Sequence, residues 1–209
     1  MAQKQLDISM ASLKKYKDNS FSQTAQDLVA FNLCREKSYL EIGAKGPITR
    51  NNTFLLENNG WDGVSFEMLD YRKEWSTVRD VDRLNVINIF NYDFSKLKKY
   101  YGYLSLDIDA LTMNCYIDKI RPSKIKFDVI SMEHDSFNQP LKSEEQIIEL
   151  NKDGYICFLK NIHLTERDTA FWDRPGPYEN IYVSKEIWDE NNLETHENLI
   201  KEEIERLWR

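Results

Sequence analysis

The feature that most constrains this chain is a recurring alternation of short apolar runs with stretches of helical spacing. Tyr39–Ala44 (YLEIGA), Gly63–Phe66, Val86–Phe90, Tyr103–Ile108 (YLSLDI) and Phe127–Met132 (FDVISM) read as buried strands, followed by Tyr155–Leu159 and Ile181–Val183. Between them lie helical patterns. Phe21, Ala25, Leu28, Val29 and Leu33 form one stripe, and Asn51–Asn58 resumes the spacing with Gly60 placed to cap it. Asp70–Asp82, Lys96–Tyr101 stopped by Gly102, a segment from Leu111 to Ile120 ended by Pro122, and Glu144–Asn151 continue the series. Parallel strands need crossover connections, so the alternation predicts an α/β fold with a mostly parallel sheet covered by helices on both faces.

At 209 residues the chain has room for one core with additions, and 41% hydrophobic residues suffice to fill it. The expected organisation is a polar N-terminal extension over 1–20, one α/β domain over 21–184 and a helical C-terminal extension over 185–209. In that last segment Leu199, Ile200, Ile204, Leu207 and Trp208 share a helical face, which packs on its own domain or forms a homodimer contact. The formal net charge of −7 opposes non-specific nucleic-acid binding, which needs a cationic surface, and favours a small-molecule or glycan partner. No apolar run is long enough to cross a bilayer, so no membrane partner is expected. The first twenty residues hold no signal-peptide core, and Cys34, Cys115 and Cys157 form no paired motif. A cytoplasmic protein with reduced thiols is the expectation.

Open sheets of this kind bind ligands beyond the carboxyl ends of their strands, where strand order reverses. Those ends are acidic here: Glu41, Glu67, Asp107 with Asp109, and Glu133 with His134 and Asp135, while Asp93 follows the third strand. Two of the seven glycines, Gly43 and Gly46, fall in the first strand-to-helix turn, where glycine lets backbone approach a ligand. Glu67 lies 21 residues beyond Gly46, close to the roughly 20 expected of an acidic residue that accepts from both ribose hydroxyls of a nucleotide. An ordinary tight turn and a solvated strand end would leave the same pattern.

The stretch Glu41–Glu67 (EIGAKGPITRNNTFLLENNGWDGVSFE), followed by YLSLDIDA and FDVISMEHD, resembles the FkbM family of S-adenosylmethionine-dependent methyltransferases. Asn52, Thr53, Leu56, Glu57, Gly60 and Trp61 carry the most specific part of that likeness. The resemblance implies a Rossmann-like class I methyltransferase fold, a seven-stranded sheet whose last strand runs antiparallel. It also implies S-adenosylmethionine as cofactor, with Glu41 and Gly43 bordering its methionine portion, Glu67 holding its ribose and Asp93 beside its adenine. Ala44, Lys45, Gly46, Asn52 and Asp107 complete the implied cofactor set. Lys45, Gly46 and Pro47 depart from the family, which has a small polar residue followed by Asp and Gly. Proline removes a donor, and a lysine beside a sulfonium is unfavourable unless it points away or meets a carboxylate.

Methyl transfer to oxygen needs an acceptor proton removed, and His134, then Asp109, then Glu133 are the candidate catalytic groups. A neutral imidazole suits that role near pH 7, although a structurally hydrogen-bonded histidine is the commoner outcome for a residue placed like His134. A divalent cation held by Asp107, Asp109 and the 133–135 cluster is a rival use of the same residues, but no histidine–carboxylate pairing supports it, so no metal is expected. Asn161–Tyr178 reads as a long irregular loop whose Phe171, Trp172, Arg174 and Tyr178 suit sugars or planar rings, or simply plug the sheet edge. The reading is a methyltransferase acting on a sugar or other small hydroxyl acceptor. Its alternative is a non-catalytic methyltransferase-fold binding module with a degenerate cofactor loop.

Overall fold

A computed structural model describes residues 19–134, 141–163 and 177–195, together with Lys15 and Glu202. Seven strands form one sheet: β1 (Ser38–Ile42), β2 (Asp62–Glu67), β3 (Leu84–Val86), β4 (Tyr100–Leu106), β5 (Lys126–Glu133), β6 (Tyr155–His163) and β7 (Pro177–Ser184). Their order across the sheet is β3-β2-β1-β4-β5-β7-β6. The pairs among β1 to β5 are parallel, and β7 runs antiparallel to both β5 and β6. Strand order reverses at β1, whose neighbours are β2 on one side and β4 on the other. A crevice is therefore expected above the carboxyl ends of β1, β2 and β4.

Both faces of the sheet are covered, which is why the central strands read as continuous apolar runs. On one face Tyr39, Tyr103, Val129, Phe158 and Ile181 pack against helix α1 (Gln26–Leu33), α2 (Phe54–Asn58) and the C-terminal helix. On the other, Leu40, Ile42, Leu104, Leu106 and Ile130 meet the segment around Tyr116 and Ile120 and the buried Leu150.

Several element boundaries differ from the expected ones, each for a local reason. The expected helix over 70–82 shortens to α3 (Arg72–Trp75). Ser76 and Thr77 donate their hydroxyls to the Lys73 and Glu74 carbonyls, an alternative to continuing the helix. The third strand ends at Val86, because the Asn88 side chain accepts from Phe90 N and caps a 3-10 turn over Ile89–Asn91. Gly102 lies inside β4 instead of stopping a helix. A Cβ there would sit 2.0 Å from the Glu36 carbonyl oxygen, so glycine is needed for close strand approach. Pro122 does not end its segment either. The chain runs from α4 (Thr112–Cys115) through a π-helical turn (Tyr116–Ile120) into α5 (Arg121–Ser123), and stops at Lys124 with φ 58°.

After α6 (Lys142–Lys152), β6 and β7 extend further than expected, taking Asn161–His163 and Pro177–Tyr178 into the sheet. Phe171, Trp172 and Arg174, Asp135, and the apolar face from Leu199 to Trp208 lie outside the described residues. Helix α7 (Lys185–Asn191) follows β7, with Ser184 capping it through Ile187 N. No disulfide joins the three cysteines. Among the described residues no helix is long and apolar enough to cross a membrane.

The loop after β1 is organised by one buried cation. The Arg79 guanidinium is fully buried and donates to Glu57 Oε2 at 2.6 Å, Asn51 Oδ1 at 2.8 Å, Thr53 Oγ1 at 3.0 Å and the Tyr39 hydroxyl at 3.1 Å. It also stacks 3.9 Å from the centre of the Trp75 ring. Arg79→Met removes the charge that balances partly buried Glu57 and buried Glu41, and breaking a buried pair typically loses about 3–5 kcal/mol. The expected outcome is a lower urea midpoint of that order with an unchanged denaturant slope, measured by circular dichroism.

Candidate active site

The carboxyl ends of β1, β2 and β4 are laced together through their backbones. Gly43 N and Ala44 N donate to the Phe66 carbonyl at 2.9 and 3.2 Å, and Asp107 N donates to the Ile42 carbonyl at 3.0 Å. Gly43 has φ 91°, and a Cβ there would lie 1.8 Å from the Asp107 carbonyl oxygen, so no other residue fits. Above this junction opens a cleft of about 480 Å³. Gly43, Lys45, Glu67, Asp107 and Asp109 form its polar wall, while Met68, Leu69, Ile87, Phe90 and Leu111 supply apolar surface.

Glu67 closes β2 with its carboxylate gathered by three backbone donors: Lys45 N at 2.8 Å, Met68 N at 2.7 Å and Leu69 N at 2.9 Å. The 21-residue spacing thus has a physical basis, because Glu67 fastens the loop of the preceding strand while it faces the cleft. Asp107 is buried. Its Oδ2 accepts from the Tyr178 hydroxyl at 3.1 Å, and its Oδ1 has no partner among the described residues. Asp109 is exposed and held at φ 53°, with its N–H donating to Glu133 Oε2 at 2.9 Å.

Five residues expected to hold a cofactor do not line the cleft. Glu41 is buried beneath it, accepting from Ser65 Oγ at 2.7 Å and Thr53 Oγ1 at 2.8 Å, and burial raises its pKa against the pull of Arg79. Ala44 packs with Trp75 and Leu84. Gly46 borders a separate surface groove with Pro47 and Lys73. Asn52 is buried with its amide donating to Ser105 Oγ at 2.9 Å. Asp93 accepts from Ser95 N and caps a turn, so the 87–90 segment stands at the cleft in its place. The Asn52–Trp61 motif behaves likewise. Thr53 and Glu57 bind Arg79, while Leu56 and Trp61 enter the core.

His134 and Glu133 are both buried at the end of β5. With Asp109, Thr112 and Lys142 they line a recess of about 10 Å³ beside the cleft, too small for an acceptor. Burial pushes the imidazole down to about 4, so His134 is neutral near pH 7 and a weaker base than an exposed histidine. Asp109 alone of the three expected catalytic groups borders both the recess and the cleft. Among the described residues no cluster of His, Cys, Asp and Glu has metal-binding geometry.

Sequence reasoning missed the wall that the chain's own N-terminal segment and β7 build behind Asp107. The Tyr178 hydroxyl, bonded to Asp107, also reaches Gln23 Oε1 at 3.4 Å. Thr24 Oγ1 donates to Glu179 Oε2 at 2.7 Å, and the Gln26 amide donates to the same oxygen. Asp27 accepts from Ser20 and Ser22, each at 2.7 Å. The only sequence signal was a polar run, Ser20 to Asp27, leading into an apolar helix.

The strand order, the single antiparallel strand and the position of the cleft define the class I methyltransferase fold. Two solved structures share it. The crystal structure of cofactor-bound Rv0187 from MTB is 12% identical with a TM-score of 0.56, over 85% of this chain and 89% of that one. The O-methyltransferase from Bacillus cereus in complex with SAH is 15% identical with a TM-score of 0.52, over 88% and 90%. No protein-family model matches the chain, and no curated protein matches it in sequence.

Burial raises Glu179 to about 8 and Asp27 to about 6, each against hydroxyl donors that favour the charged form. Unfolded carboxyls release their protons near 4.5 and 3.8, so between those values and the raised ones the folded chain binds more protons. Stability therefore falls as pH rises through this window. Glu179→Gln is expected to flatten the loss between pH 5 and 8, read from urea midpoints at both pH values.

Proposed function

We propose that this chain is an S-adenosylmethionine-dependent methyltransferase that resembles the FkbM family and transfers a methyl group to an oxygen of a sugar or other small hydroxyl acceptor. The observation that carries the reading is the cleft at the strand-order switch, with Glu67 at the end of β2 and, in one wall, the Oδ1 of buried Asp107, which has no partner among the described residues. A buried acceptor atom without a protein donor favours a ligand that brings one. The cofactor's ammonium and ribose hydroxyls are such donors, and Met68, Leu69, Ile87 and Leu111 suit its adenine. The net charge of −7 supports a small acceptor over a nucleic acid.

When bound, S-adenosylmethionine supplies an electrophilic methyl. The protein's part is to orient the acceptor hydroxyl and take its proton. Asp109 does the second, because it stands at the opening between cleft and recess with its backbone fixed by Glu133. His134 braces that wall from its buried position.

Glu67→Ala is expected to weaken S-adenosylhomocysteine binding by about 1.5–3 kcal/mol, the range for hydrogen bonds to a charged group, measured by titration calorimetry. Absence of binding to the wild-type chain would overturn the cofactor reading. Asp109→Asn is expected to lower turnover roughly 100-fold or more while affinity for S-adenosylhomocysteine stays within about twofold. A binding module without turnover would show the first effect and no activity to lose on any hydroxyl acceptor.

A further inference from the structure

The departure at Lys45 puts a cation into an otherwise acidic cleft. Its peptide is fixed at both ends: the N–H donates to Glu67 Oε2 at 2.8 Å, and the carbonyl accepts from Trp75 Nε1 at 3.2 Å. The residue is held at φ 51°, a conformation glycine adopts without strain, yet it carries a long charged side chain. Lys45 lines the cleft together with Asp107 and Asp109, with its side chain exposed. Desolvation pulls the ammonium's pKa down, but Asp107, Glu133 and Asp109 outweigh it and hold the pKa above the ordinary lysine value. The ammonium is thus charged at any pH where the protein would work.

We infer that Lys45 sets the protein's preference between the cationic methyl donor and its neutral-sulfur product, shifting it toward the product. The inference rests on the cofactor reading above. Donor and product share the adenosine and amino-acid parts and differ by one methyl and one positive charge. A small residue at this position would add no charge, whereas a cation on the wall of their common cleft opposes the extra positive charge that only the donor carries. A unit charge acting across a partly solvated cleft corresponds to roughly tenfold in relative affinity. Removing it leaves Asp107 and Asp109 uncompensated, which moves the ratio further toward the donor.

Titration calorimetry of the full chain with S-adenosylmethionine and with S-adenosylhomocysteine tests this in the wild type, Lys45→Gln, Lys45→Arg and Lys73→Gln. Lys73 is exposed on α3 and borders the separate surface groove, so it reports any general effect of net charge. In Lys45→Gln the donor's affinity relative to the product is expected to rise about tenfold, with the wild-type ratio kept in Lys45→Arg and Lys73→Gln. The inference is overturned if both ligands bind Lys45→Gln with the wild-type ratio, or if Lys73→Gln shifts the ratio equally. Failure of both ligands to bind any variant, each folded by thermal melting, overturns the cofactor reading itself.

Discussion

The Arg79 guanidinium is the interaction on which the cleft depends. A buried positive charge is tolerable only when its donors are met, and here a carboxylate, an amide oxygen, two hydroxyls and an aromatic face meet them. Those partners come from β1, from the loop after it and from α2, so one side chain fastens three consecutive pieces of chain. Asn51 extends the bracing, because its amide donates to the Ala44 and Gly46 carbonyls at 3.0 and 3.3 Å. Pro47 gives up a donor, yet its carbonyl lies 3.4 Å from Arg79 Nη1. The Lys45–Pro47 turn is therefore held from beneath by Asn51 and Arg79, and from the cleft side by Glu67.

The opposite wall is built on different physics. Asp107, Glu133 and Glu179 act there on Tyr178, and burial, helped by the Asp107 charge, raises Glu179 against the hydroxyl and amide donors around it. Residues 20–27 close this wall with hydroxyls and amides directed at β7. The two sides thus respond differently to conditions, one locked by an arginine that never titrates and the other tuned by carboxyls that do.

Much of the fold was legible because each strand buried on both faces is an apolar run and each cleft residue ends one. Glu67 and Asp107 were found this way, since a strand end is a topological position and spacing alone fixes it. Boundaries were less legible where a side chain competes with the backbone, as Asn88 does at the end of β3 and Ser76 and Thr77 do after α3. Gly102 was misread because a glycine needed for close approach looks, in sequence, like one that stops a helix. The Asn52–Trp61 run that carried the family likeness serves Arg79 and the core instead of the cleft. The Tyr178–Asp107 contact spans 71 positions, and no local pattern announces a pairing of that reach.

The floor of the cleft is main chain. Gly43 and Asp107 meet there backbone to backbone, with room for no side chain between them. Mutation rewrites side chains and leaves peptide groups in place, so a surface made this way is inherited almost intact while the walls drift. Solved structures at 12% and 15% identity share this fold. In this chain peptide groups set the shape of the floor, and its chemical individuality lies in side chains such as the lysine beside it.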